Sequence, residues 1–156
     1  MARLRFNHME LTFARGALDD ATRREIGRFY GELFGWSCMD VDVVGQRAFY
    51  LQVDEGQFLL LAESDRPMQS PGYDHLGLQC ETRAEVDALL ERCRAEKERD
   101  PRVAIKEYRD EKFGSVTVHA FYVKYLLPIW FDVQCLEYAA GAEPSHRWSY
   151  VSSAAR

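Results

Sequence analysis

The fold of this chain is indicated by one short pattern that occurs twice: FNHMELTF at residues 6–13 and YDHLGLQC at residues 73–80. Each copy has an aromatic residue, Asn or Asp, a histidine, and then apolar side chains at every second position. This alternation over six to eight residues is typical of a half-buried β-strand. The repeat therefore predicts two similar strands, with His8 and His75 at equivalent positions on the faces opposite the apolar side chains.

Each predicted strand is followed by a predicted helix and three further strands. Residues 20–34 have their apolar side chains on one helical stripe, with Gly35 as a C-terminal stop. Thr82 and Glu85 have the spacing of a capping box at the start of the second helix, which ends before a proline. Further strands are predicted at 37–43, 47–53 and 57–63, and again at 103–108, 115–125 and 129–138. Each half therefore has the order β-α-β-β-β.

The size and charge of the chain narrow its class. Its 156 residues suit one domain, and the net charge of −5 gives no general attraction to nucleic acid. No apolar run approaches the ~20 residues of a membrane helix, and the N-terminus lacks a secretory core, so we expect a cytoplasmic protein. Four scattered cysteines predict reduced thiols. We expect one domain over 1–138, with modules at about 5–64 and 72–138, and a C-terminal tail over 139–156.

The order of these features resembles the vicinal oxygen chelate superfamily, which includes glyoxalase I, extradiol dioxygenases and bleomycin resistance proteins. The resemblance rests on the two copies of the repeated pattern, on RFYGELFGW at 28–36 and on FYVKYLLPIWFDV at 121–133. It implies an α+β fold, in which two βαβββ modules form a paired, cup-shaped mixed β-sheet with the helices outside. It also implies a metal-centred cleft and a homodimer.

The resemblance implies metal ligands on the first and last strands of each module. Residue by residue, these positions fall on His8, His75 and Asp132. A gapless match of the two halves places Leu60 at the position equivalent to Asp132, and a leucine supplies no fourth ligand. A set of two histidines and one carboxylate suits Fe²⁺ and also accommodates Mn²⁺, Zn²⁺, Ni²⁺ or Co²⁺.

Five further side chains are candidates for catalysis or substrate binding. The resemblance implies that Tyr122 orients the substrate. His119 is a candidate acid or base, because an imidazole with a pKa of about 6.5 takes both forms near neutrality. Glu10 shares the predicted face of His8, Gln134 shares that of Asp132, and Trp130 is a candidate wall of the cleft.

The sequence favours two kinds of function, and a regulatory or subunit-interaction protein with a vestigial cleft is a third alternative. The first is a metal-dependent enzyme acting on a small oxygenated organic substrate chelated at a His/His/Asp site. Its chemistry would be that of an extradiol dioxygenase, or of a lyase or isomerase. The alternative is a metal-free small-molecule or drug-binding protein of the bleomycin-resistance kind, which the 13% aromatic content favours because ligand pockets have aromatic walls. In both cases the expected partner is a small molecule, with no nucleic acid and no membrane.

Overall fold

The structure is a computed structural model that describes residues 6–145. The first module contains one helix and four strands: β1 (His8–Ala14), α1 (Asp20–Phe34), β2 (Ser37–Val43), β3 (Gln46–Asp54) and β4 (Gln57–Ser64). The second module contains β5 (His75–Gln79), α2 (Arg83–Arg99), β6 (Ala104–Glu107), β7 (Glu111–Phe113), β8 (Val116–Lys124) and β9 (Trp130–Tyr138). The predicted α+β class and the repeated β-α-β-β-β order are confirmed. The short β7, which has no alternation of its own, was not predicted.

Capping residues mark the ends of the helices. Asp19 accepts a hydrogen bond from the Thr22 backbone N–H, which caps α1, and Gly35 ends that helix with φ of 75°. Thr82 and Glu85 form the predicted reciprocal capping box of α2. Local sequence therefore sets where both helices begin and where α1 ends. Among the described residues, no helix is long and apolar enough to cross a membrane.

The strands form two mixed sheets, one per module. The first has the order β1-β4-β3-β2, and the second has the order β5-β9-β8-β6, with β7 paired to β8. In each sheet the first strand of the module runs parallel to the last, and the other pairs are antiparallel. Within residues 6–145, β1 and β5 are therefore edge strands, and each has one side that no other strand covers.

The register of the two sheets repeats from one module to the other. In the first sheet His8 lies opposite Phe58 and Glu10 lies opposite Leu60. In the second sheet the equivalent pairs are His75 with Trp130 and Gly77 with Asp132. Leu60 and Asp132 therefore occupy the same place in their modules, as the gapless sequence match predicts.

One core joins the two modules. The buried side of α1 packs against the second module, where the Tyr30 hydroxyl donates to the Tyr125 carbonyl over 3.0 Å. Phe131 of β9 packs edge-on against the rings of Tyr30 and Trp36. Because these contacts cross between the modules, the two halves share a single apolar interior, as one domain requires.

The cysteines of the described residues are free thiols, as predicted. Cys93 and Cys135 are buried, whereas Cys38 and Cys80 are half-buried. Burial raises the pKa of Cys93 to about 12, so its thiol is protonated and unreactive at neutral pH. The predicted C-terminal tail begins directly after β9, and its residues 146–156 lie outside the described residues.

Candidate metal centre

A row of polar side chains crosses the second sheet on the face opposite the core. Tyr122 of β8 lies directly opposite Asp132 of β9, and Asp132 lies opposite Gly77 of β5. The neighbours Phe131 and Val133 point into the core, so alternation along β9 turns Asp132 to the other face. His75 begins β5 beside this row. The sheet therefore brings together three predicted site residues: His75, Tyr122 and Asp132.

Asp132 is an incompletely satisfied buried carboxylate. Its side chain is only 12% exposed. The Oδ1 atom is buried and has no hydrogen-bond partner in the described residues, while Oδ2 accepts a hydrogen bond from Gln134 Nε2 over 3.3 Å. Burial raises the pKa of Asp132, and the nearby His75 opposes that rise. An orphaned carboxylate oxygen costs free energy in the protein alone, so this position favours occupation by a proton or a cation.

His75 is oriented with one ring nitrogen towards that carboxylate. Its Nδ1 lies 2.9 Å from the Tyr73 carbonyl, which can only accept, so Nδ1 carries the proton. In the neutral imidazole Nε2 is then the atom with the free lone pair. Nε2 lies 3.9 Å from Asp132 Oδ2. A backbone carbonyl that fixes the histidine tautomer in this way is the usual outer contact of a metal-binding imidazole.

Three other predicted residues surround the pair. The Tyr122 hydroxyl lies 3.4 Å from His75 Nε2, and burial raises the pKa of Tyr122, so the phenol keeps its proton. Gln134 donates to Asp132 and so holds the carboxylate in place. Trp130 lies opposite His75 in the sheet, and its indole N–H donates to the Gly72 carbonyl over 3.1 Å. Trp130 thus forms one wall beside the cluster.

Three residues on the same face, Tyr73, Lys106 and Tyr108, are not among the site residues predicted from the sequence. Lys106 of β6 lies directly opposite Tyr122 and extends the polar row by one strand. Its ammonium is 3.7 Å from the centre of the Tyr73 ring and 4.8 Å from that of Tyr108. Alternation along 104–108 places residues 106 and 108 on one face, but only the register to β8 shows that this face is the one with Asp132.

His8 lies on the other sheet. It begins β1, its ring stacks on Phe58 with centroids 4.7 Å apart, and its Nδ1 is 2.7 Å from Asn7 Oδ1. These contacts do not involve His75 or Asp132. Glu10 shares the exposed face of His8 and lies opposite Leu60. Within residues 6–145, no three His, Cys, Asp or Glu side chains are grouped so that one chain alone could hold a metal.

His119 lies on the opposite face of β8 from Tyr122. Its Nε2 is 2.7 Å from Asp87 Oδ1, and its Nδ1 is 2.8 Å from Asp110 Oδ1. Arg83 joins this network and is the main cause that lowers the pKa of Asp110 to about 2. The structure therefore places His119 in an ion network beneath α2 and does not bring it to the cluster. The sequence contains a signal for this placement: His119 and Tyr122 are three residues apart, and side chains an odd number of residues apart in a strand point to opposite faces.

The donor set on the second sheet fits a divalent metal. The unprotonated Nε2 of His75, contacted at 3.4 Å by the Tyr122 hydroxyl, and a carboxylate oxygen without a partner among residues 6–145 are the two kinds of atom that Fe²⁺, Mn²⁺ and Zn²⁺ bind. Two protein ligands leave several coordination positions for a third ligand and for a substrate. The neutral Tyr122 hydroxyl beside His75 Nε2 would donate to an oxygen bound there.

Solved structures with the same fold identify the architecture. A possible glyoxalase from Bacillus cereus matches at 21% identity over 86% of this chain and 99% of its own, with a TM-score of 0.53. The fosfomycin resistance protein FosX from Listeria monocytogenes matches at 18% over 86% and 91%, with a TM-score of 0.57. A glyoxalase/bleomycin resistance protein/dioxygenase from Nocardioides matches at 14% over 95% and 92%, also at 0.57.

These similarities show that the chain has the fold of these glyoxalase-like proteins, which is the fold that the resemblance to the vicinal oxygen chelate superfamily implies. At such identities they show the fold alone. No family model matches the chain. No curated protein matches it either.

Proposed function

We propose that the chain is a metal-dependent enzyme that binds a small oxygenated organic substrate at a site formed by His75, Asp132 and His8. The observation that carries this proposal is Asp132, whose buried Oδ1 has no hydrogen-bond partner among residues 6–145 while His75 Nε2 lies beside its other oxygen. A protein that keeps an uncompensated carboxylate beside an oriented imidazole loses stability unless a cation binds there. Fe²⁺ is the metal that this donor set favours, with Mn²⁺, Zn²⁺, Ni²⁺ and Co²⁺ as alternatives.

The residues around the cluster would divide the work of binding and catalysis. When bound, the metal supplies Lewis acidity towards adjacent oxygens of a substrate. Gln134 holds Asp132 in a fixed orientation, and the Tyr73 carbonyl holds the His75 tautomer. Tyr122 would donate its phenolic proton to a substrate oxygen and so orient it. Ring cleavage of a catechol-type substrate, and lyase or isomerase chemistry, both use such a site.

The third ligand, His8, would come from a second copy of the chain. Within one chain the contacts of His8 are with Asn7 and Phe58. Both β1 and β5 have an uncovered edge, and the two histidines begin these two edge strands. A symmetric dimer that places β1 of one copy against the second sheet of the other would complete two equivalent sites.

Metal titration of the purified protein tests the proposal. Isothermal calorimetry with Mn²⁺ is expected to show one site per chain in the wild type and a loss of affinity of more than about 100-fold in His75→Ala and Asp132→Ala. His119→Ala is the matched control, because it removes an imidazole from the opposite face of the same sheet. Wild-type affinity in the His75 and Asp132 variants would refute the metal site.

Co-expression of two variants tests the role of the second copy. His8→Ala and His75→Ala are each expected to lack the site as homodimers. In a mixture, half of the dimers combine the two variants, and each has one intact site, so about one quarter of the sites should recover. If no site recovers while the mixed dimers form, the three ligands do not come from two chains.

The metal-free binding protein is the second candidate, because one observation favours it. A groove of about 820 Å³ runs along β5 and is lined by apolar side chains that include Phe34, Trp36 and Leu76. Apolar and aromatic walls are typical of small-molecule pockets. A thermal-shift screen separates the candidates: stabilisation by aromatic compounds that EDTA leaves unchanged supports the binder, whereas stabilisation by Mn²⁺ that EDTA reverses supports the enzyme.

A further inference from the structure

The two sheets carry different side chains at equivalent positions of a row that crosses three strands in each. This difference points to a second group that could bind the substrate. In the first sheet the row that crosses β2, β3 and β4 consists of Met39, Tyr50 and Leu60. In the second sheet the equivalent row consists of Lys106, Tyr122 and Asp132. The tyrosine is common to both rows. The other two positions are apolar in the first sheet, where they are Met39 and Leu60, and charged in the second, where they are Lys106 and Asp132.

The Lys106 ammonium is held by aromatic rings, with no acidic partner. It lies over the faces of Tyr73 and Tyr108, at the distances at which a cation is attracted to a ring. Among residues 6–145 Lys106 forms no ion pair, whereas many arginines of this chain do. Hydrogen bonding to Tyr108 raises the pKa of Lys106, so the charge is retained at neutral pH. A fixed cation without a counter-ion attracts an anionic ligand.

Its place in the row sets the size of that ligand. Lys106 is on β6 and Asp132 is on β9, with only β8 between them. Neighbouring strands lie about 4.8 Å apart, so the two backbones are separated by about 10 Å. Both side chains project from the same face of the sheet, so a small organic molecule of about this length would extend from one to the other. Such a molecule could have an anionic group at Lys106 and its chelating oxygens near His75 and Asp132.

We infer that Lys106 binds the anionic group of the substrate, and that the substrate is a small organic anion, for which benzoate serves as the probe. This inference rests on the proposed function, because it places the other end of the same molecule at the metal. Tyr73 and Tyr108 are positioning residues, since their rings fix the ammonium above the sheet. Trp130, whose ring centre is 5.3 Å from that of Tyr73, forms the adjoining wall.

Ligand binding to the protein stripped of metal tests the inference separately from the proposed function. Benzoate and benzamide have nearly the same shape, but only benzoate is charged. Saturation-transfer NMR in the presence of EDTA is expected to show saturable benzoate binding, at least tenfold tighter than that of benzamide. Lys106→Met should weaken benzoate binding at least tenfold and leave benzamide unchanged, and Lys106→Arg should retain most of it.

Lys112→Met is the matched control, because it removes the same charge from an exposed site that pairs with Thr117, on the face of β8 opposite Tyr122. It should bind benzoate as the wild type does. The inference is overturned if benzoate binds no better than benzamide, or if Lys106→Met and Lys112→Met bind benzoate equally well. Neither result bears on whether Mn²⁺ binds at His75 and Asp132, so the two proposals fail separately. Thermal unfolding of each variant verifies that it is folded.

Discussion

Replacing Asp132 with asparagine is expected to stabilise the metal-free protein at neutral pH and to remove its metal binding. The carboxylate is 12% exposed, and its Oδ1 has no hydrogen-bond partner in the described residues. Asparagine has nearly the same shape but no charge. The substitution therefore removes the cost of burying an unpaired charge while it preserves the packing around Phe131 and Val133.

The magnitude and pH dependence follow from this burial. Leaving a buried polar group unsatisfied costs about 1–3 kcal/mol, and asparagine still leaves one neutral atom without a partner, so the gain should be about 1–2 kcal/mol at pH 7. Burial raises the pKa of Asp132 above its ordinary value of 3.8. A raised carboxyl pKa means that the wild type recovers stability as the pH falls through that pKa. The advantage of Asp132→Asn is therefore present at pH 7 and disappears below about pH 3.8.

Urea unfolding in EDTA, repeated with saturating Mn²⁺, measures the effect. Asp42→Asn is the control, because Asp42 is exposed and the net charge changes by the same amount. With metal present the wild type should become more stable than Asp132→Asn, since the wild type and Asp42→Asn gain the binding free energy, about 2.7 kcal/mol at 100 times the dissociation constant, and Asp132→Asn does not. If Asp132→Asn is no more stable than Asp42→Asn in EDTA, Asp132 carries no costly unpaired charge in the metal-free protein.

Three further substitutions have expected outcomes. Tyr30→Phe should destabilise the fold by about 0.5–1.5 kcal/mol in urea unfolding, because it removes one of the two hydrogen bonds that the Tyr125 carbonyl accepts among residues 6–145, the other coming from the Leu127 backbone N–H; an unchanged midpoint would contradict this. Tyr122→Phe should keep Mn²⁺ affinity in calorimetry but weaken binding of the chelator 4-nitrocatechol by up to about tenfold, the value of one hydrogen bond. His119→Gln should leave both affinities unchanged, and a loss of metal would place His119 in the site after all.

Most of the fold could be predicted from the sequence, because its signals are local. The alternation in residues 6–13 and 73–80 predicted β1 and β5, and the caps at Asp19, Gly35 and Thr82 are formed by neighbouring residues. The internal repeat also placed Leu60 and Asp132 at equivalent positions, because the last strand of each module keeps the same register to its neighbours. Such patterns can be recognised from neighbouring residues alone, without knowing which strands pair.

The candidate site was only partly predictable, because it depends on pairings between distant strands. His75, Tyr122 and Asp132 converge as the resemblance implied, but Lys106 joins them only through the register of β6 on β8. His8 shows the opposite case: its position in the repeat equals that of His75, yet within one chain it faces Phe58. Sequence periodicity predicts the face of a strand on which a residue lies, and it does not predict which other sheet that face will meet.

X-ray absorption spectroscopy of the Co²⁺-loaded protein tests the metal site most directly. We expect scattering from two imidazoles at about 2.0–2.1 Å together with carboxylate oxygen, and one imidazole fewer in His75→Ala prepared at the same occupancy. A shell of oxygen ligands alone, identical in the wild type and in His75→Ala, would contradict the assignment of this site.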